Sequence, residues 1–152
     1  MDLVADLVTS FDPEHPHFRP TEIYNEGWLL RALLHAVSRL DNQSFPLSFA
    51  PGATWFSEAL LPTAFKAQYR SDPLAETWTN ADGVIGHILV GEKGKADLEL
   101  KPAAQQFVVV EAKIGSSLSS GTRDAPYFDQ AARTVACMAE ALGRADRRPS
   151  DV

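Results

Sequence analysis

Three residues carry most of the chemical promise of this 152-residue chain: Asp97, Glu111 and Lys113. They lie in Ala96-Asp97-Leu98-Glu99-Leu100 and, after a short polar turn, Phe107-Val108-Val109-Val110-Glu111-Ala112-Lys113. Leucines alternating with acids, and a β-branched run led by phenylalanine, both predict strands. A hairpin centred on Ala104 sets Asp97 directly opposite Glu111, with Leu98 and Leu100 opposite Val110 and Val108. Side chains alternate faces, so Lys113 joins the two acids. Leu98, Leu100, Val108, Val110 and Ala112 then make the other face wholly apolar. Like charges opposed at about 5 Å destabilise a sheet, and a divalent cation that prefers oxygen relieves them. Mg2+ commonly takes one or two carboxylates together with water and phosphate. Lys113 would neutralise charge on a phosphate or lower the pKa of an attacking water. The alternative is a two-sided hairpin with a solvated charged face, on which Lys113 offsets Glu111.

The elements that position these residues follow from periodicity and punctuation. Thr21–Leu40 has the clearest helical spacing, through Ile23, Leu29, Leu30, Leu33, Leu34 and Val37, with Thr21 as N-cap. Trp55–Ala67 also shows helical spacing, through Phe56, Leu60 and Ala64, with a kink at Pro62. Glu58 there is a solvated residue or an alternative acid. Asp82-Gly83 reads as a turn, and Asp82 as a turn residue. Strands Val84–Val90, Lys95–Leu100 and Phe107–Ile114 follow as an antiparallel meander, the first two joined through Gly91–Lys95. The last helix is Pro126–Leu142, with Ala131, Val135, Met138 and Leu142 as its buried stripe. Cys137 is a small core residue of that helix. His15 and His17 fall in a proline-rich loop and read as surface residues.

Asp97, then Glu111-Ala112-Lys113, then a helix carrying Gln130 resembles the PD-(D/E)XK nuclease superfamily over about residues 20–143. That resemblance implies an α/β, restriction-endonuclease-like fold: an α-β-β-β-α core, a three-stranded antiparallel meander flanked by helices. The family's final strand is missing, because residues 144–152 are polar and charged, so a truncated domain is expected. The resemblance implies metal-dependent phosphodiester hydrolysis of nucleic acid, DNA ahead of RNA. Asp97, Glu111, the Ala112 carbonyl and Glu26 would hold Mg2+ or Mn2+, and Lys113 would activate water. Gln130 would position Lys113 or the substrate. Glu26 is otherwise a plain surface acid. Arg133 contacts phosphate, or forms a salt bridge to Asp129 or Glu140. Tyr127 is core, a hydrogen-bond partner or a base-stacking surface. Ser116 and Ser117, in the small polar stretch 115–122, contact phosphate or belong to a plain linker. The competing class is a catalytically silent module that binds nucleic acid or protein within a larger assembly.

Composition bounds these readings. The expectation is one domain over 1–152, with an arm and loop at 1–20, a core at 21–143 and a tail at 144–152. Apolar content of 45% argues for a globular chain. No run approaches the about 18 apolar residues of a membrane span. One cysteine excludes an internal disulfide, and a cytoplasmic location is expected. A net charge of −6 sits poorly with phosphate neutralisation, so any basic patch must be local or lie on a partner. Arg144, Arg147 and Arg148 read as helix-end charge and solvated tail. An unpaired sheet edge invites a second copy or a partner protein.

Overall fold

The computed structural model describes residues 26–40, 47–72, 75–76, 79–91, 97–113, 117–121 and 127–152. Ser116, His15, His17 and the proposed cap Thr21 lie outside them. The elements run α1 (Glu26–Val37), β1 (Thr54–Leu61), β2 (Thr79–Gly86), β3 (Ile88–Val90), β4 (Leu98–Leu100), β5 (Phe107–Val110) and α2 (Gln130–Arg144). A 3-10 turn, Pro149–Asp151, follows. The chain is mixed α/β. Its main sheet is antiparallel in the order β1-β2-β5, and β3 and β4 form a separate two-stranded ribbon.

Each face of the sheet is covered by a helix. Leu30 and Leu34 of α1 pack with Ile85, beside Trp55, Val108, Val110 and Ala112. Cys137, Ala141 and Leu142 of α2 pack with Ala59, Leu61, Ala81, Val84 and Phe107, joined by Leu98 and Leu100 of β4. β2 is central and has neighbours on both edges, which explains why Gly83 to Gly86 are all buried. Fully burying one leucine or isoleucine contributes roughly 1.5–3 kcal/mol, so these two layers hold the sheet.

Three expectations are corrected. Trp55–Ala67 is not a helix: Thr54–Leu61 is a strand paired with β2 from Thr54↔Gly86 to Leu61↔Thr79. The strand expected at Val84–Val90 begins at Thr79 and stops at Gly86, where the chain turns away into β3. A Cβ on Gly86 would lie 2.2 Å from the Gln106 carbonyl oxygen, at φ +156°, so only glycine permits this exit. The meander is replaced by a sheet in which β5 pairs with β2, while β4 pairs with β3.

The alternation of faces slips once. Ala81 faces the α2 layer, and so does Val84, three residues on. Between them, Ser57↔Gly83 and Ala59↔Ala81 are paired, but Glu58 and Asp82 are not. Glu58 has φ +57°, the left-handed region, which costs a non-glycine residue about 1–2 kcal/mol. This slip lets one strand pair serve both helical layers. α2 starts at a capped end, where the Asp129 carboxylate accepts from Ala132 N–H at 2.7 Å. Its buried residues are Thr134, Cys137, Ala141 and Leu142. Ala131 and Val135, expected in the buried stripe, are exposed, Val135 by 64%.

Candidate active site

The β2–β5 register brings an acid beside Glu111, but that acid is Asp82. Gly83 pairs with Val110, so the next position along the two chains sets Asp82 beside Glu111. Asp82 Oδ2 accepts from the Ala112 backbone N–H at 2.8 Å and faces Lys113 Nζ at 3.8 Å. Asp97 lies elsewhere. It bridges to Leu60 of β1, on the edge of β1 away from β2. Asp97, β1, β2 and β5 are therefore successive neighbours, which puts Asp97 about 14 Å from the Glu111 strand at ordinary strand spacing. The expected Asp97–Glu111 pair is not formed, because β4 has β3 as its partner.

Glu111 faces the α2 side of the sheet, two residues beyond Val109 and four beyond Phe107. One turn of α2 grips it. Gln130 Nε2 donates to Oε2 at 2.5 Å, and the Thr134 hydroxyl donates to Oε1 at 3.2 Å. Gln130 thus holds Glu111 itself, not Lys113. Its backbone N–H also donates to the Ser119 carbonyl at 3.0 Å, and Ser119 N–H returns a bond to Gln130 Oε1 at 3.4 Å. The polar loop is therefore anchored to α2 through Ser119, while Ser117 is exposed. Burial is the largest influence on Glu111 and pushes its pKa up; the neighbouring Asp82 carboxylate pushes the same way. The Thr134 hydroxyl and Lys113 pull it back.

A second polar group lies behind this one. Arg133 Nη2 pairs with Glu76 Oε1 at 2.5 Å, with the side chains only 12% and 6% exposed. Thr79 Oγ1 donates to Glu76 Oε2 at 3.0 Å, and the Cys137 thiol donates to Thr79 Oγ1 at 3.3 Å. Arg133 is thus ion-paired with Glu76, and neither the Asp129 nor the Glu140 carboxylate is its salt-bridge partner. Thr79, Asn80, Glu111, Gln130, Arg133 and Thr134 line one open cleft of about 230 Å3.

The remaining expected residues fall outside this cleft. Glu26 opens α1. No three His, Cys, Asp or Glu side chains converge to hold a metal among the described residues, so Glu26 does not complete a direct ligand set. Glu58 pairs with Arg31 at 3.5 Å. Arg144 pairs with Glu140, and Arg147 donates to the Ala104 and Asp151 carbonyls, so both close the C-terminal structure. Tyr127 is 91% exposed, which removes it from the core.

The donor set present is two adjoining carboxylates, one of them desolvated, with a lysine beside them. Hard oxygen ligands of this kind suit Mg2+, which uses one or two carboxylates and completes its shell with water and phosphate. A cation there also relieves the repulsion from Asp82, which adds to burial in raising Glu111. Comparison of the chain with protein-family models, curated proteins and solved structures finds no match. No helix among the described residues is long and apolar enough to cross a membrane.

Proposed function

We propose that this chain is a metal-dependent nuclease of the PD-(D/E)XK type, acting on phosphodiester bonds of DNA ahead of RNA. The observation that carries the reading is the contact of Asp82 with the Glu111-Ala112-Lys113 segment on the adjoining strand. The order of elements supports it: helix, two sheet strands, an inserted ribbon, a third sheet strand and a helix carrying Gln130. In this reading that order is taken as restriction-endonuclease-like, with Asp82 in the role expected of Asp97.

In this reading Asp82 and Glu111 hold Mg2+ or Mn2+, with the Ala112 carbonyl as a further ligand. The ion, when bound, supplies Lewis-acid polarisation of the phosphate and acidifies water. Gln130 and Thr134 fix the plane of the Glu111 carboxylate before substrate arrives. Lys113, beside Asp82, orients the attacking water and offsets charge building on the phosphate oxygens. Arg133, paired with Glu76, lines the cleft with its charge already offset.

The test is cleavage of labelled DNA and RNA with Mg2+ or Mn2+, against EDTA, for wild type, Glu111→Gln and Lys113→Ala. Metal-dependent cutting that both variants lose supports the reading. A folded wild-type chain that cuts nothing refutes it and favours the silent binding module.

A further inference from the structure

The cleft offers little free positive charge. Among the described residues one cation lines it, Arg133, which faces Glu76, and Lys113 nearby faces Asp82. The whole chain carries −6. Duplex DNA is held chiefly by phosphate neutralisation, with its bases stacked inside and unavailable. The described residues of the cleft therefore neutralise little phosphate charge, and a strand bound here gains from another source of affinity.

That source lies at the start of α2. Tyr127 and Phe128 immediately precede the Asp129 cap, and Gln130 follows, within about 11 Å of Tyr127 along the chain. Tyr127 is 91% exposed and Phe128 is half-exposed. Phe128 also rests against Phe65, ring centroids 5.8 Å apart at 57°. The helix start that presents them is held at several points. Asp129 caps Ala132, and Gln130 exchanges bonds with Ser119 and grips Glu111. Tyr127 is thus an exposed π surface three residues before Gln130, which lines the cleft. Base–aromatic stacking needs no net charge and tolerates any sequence.

We propose that Tyr127, seconded by Phe128, is a stacking platform that makes unpaired single-stranded DNA the ligand of this cleft. This rests on the nuclease reading of the same site and specifies its substrate class. A base stacks on Tyr127 while the adjoining phosphate lies at the mouth of the cleft. Duplex DNA cannot use the platform without unpairing.

The experiment is fluorescence anisotropy of a labelled single-stranded 12-mer, the matching duplex and an abasic single strand, in EDTA so that nothing is cut. Wild type should bind the single strand more tightly than the duplex, with a shallow dependence on salt. Tyr127→Ala should weaken the single strand about 5- to 150-fold, leave duplex binding unchanged and match the abasic strand. Tyr127→Phe should retain binding. The residue is exposed, so these variants should keep the wild-type Tm. Equal or tighter duplex binding, or Tyr127→Ala indistinguishable from wild type, overturns the proposal. Cutting assays on the same variants separate the two readings. Mn2+-dependent cleavage that Glu111→Gln abolishes but Tyr127→Ala leaves untouched keeps the nuclease and removes the platform.

Discussion

Gly83→Ala tests whether the seat of α1 governs the strand that carries Asp82. A Cβ on Gly83 would lie 3.1 Å from Leu30 Cδ2 and 3.1 Å from Leu34 Cδ1. Both leucines are buried, 4% and 0% exposed, and cannot swing into solvent. Carbon atoms rest at about 3.5–4.0 Å, so each leucine must retreat by a few tenths of an ångström into a filled layer. Overpacking costs about 1–3 kcal/mol. Removing glycine from a strand returns about 0.5–1 kcal/mol. The net expectation is a loss of about 1–2 kcal/mol. Leu34→Ala alone should cost about 2–5 kcal/mol through its cavity. In the double variant the new methyl enters part of that cavity, while Leu30 still crowds it. Roughly half the clash is relieved, which predicts a favourable coupling of about 0.5–1.5 kcal/mol. Urea unfolding of the four proteins measures it, through midpoints at constant slope. Strict additivity, or a Gly83→Ala protein more stable than wild type, would refute the packing argument.

Asp82→Asn and Asp97→Asn discriminate the two acids: metal-dependent cutting should fall roughly 100-fold or more with the first and stay near wild type with the second. If Asp97→Asn is the inactive one, the register argument is wrong. Arg133→Leu leaves Glu76 buried without its cation and should cost about 3–5 kcal/mol, whereas Arg133→Leu with Glu76→Leu should cost much less. Urea midpoints of single and double variants check this, and equal losses would contradict it. The raised pKa of Glu111 has a sign that can be followed. The folded chain holds this proton to higher pH than the unfolded chain, whose reference is 4.5. Stability in EDTA is therefore lost as pH rises from about that value through the folded pKa. Glu111→Gln removes the effect, so its Tm should gain on wild type as pH climbs. A constant difference between the two proteins across the range would sink the argument.

Much of the framework was legible from local signals. Helix α1 and most of α2 show in the spacing of their leucines and alanines, and β5 shows in its valine run. Glu111 and Lys113 share a face, as strict alternation requires, with Val108, Val110 and Ala112 on the other. Gln130 reaches the site because α2 packs on the Glu111 face. The misreading of β1 has a physical source. Phe56, Leu60 and Ala64 repeat every four residues, which imitates a helix face. The true pattern is obscured because Phe56 and Leu60 occupy the more exposed positions of β1, whereas Ser57 occupies one of the more buried ones.

Asp82 was hidden by composition. Asn80-Ala81-Asp82-Gly83 has the make-up of a turn, yet Ala81, Asp82 and Gly83 each answer a tertiary demand. Gly83 is where Leu30 and Leu34 come too close for a Cβ, and Ala81 lies fully buried under the α2 layer. Asp82 caps the Ala112 N–H, just beyond the last β2–β5 pair. The choice of partner for β5 is written in the pattern of burial. Phe107-Val108-Val109-Val110 is apolar at every position, which suits a strand with a helix on both faces. Leu98-Glu99-Leu100 alternates, which suits a ribbon buried on one side only, as β4 is. Two strands of such different character do not share the same environment on both faces. The fully apolar strand pairs with the Val84-Ile85 stretch of β2, and that pairing brings Asp82 to Glu111.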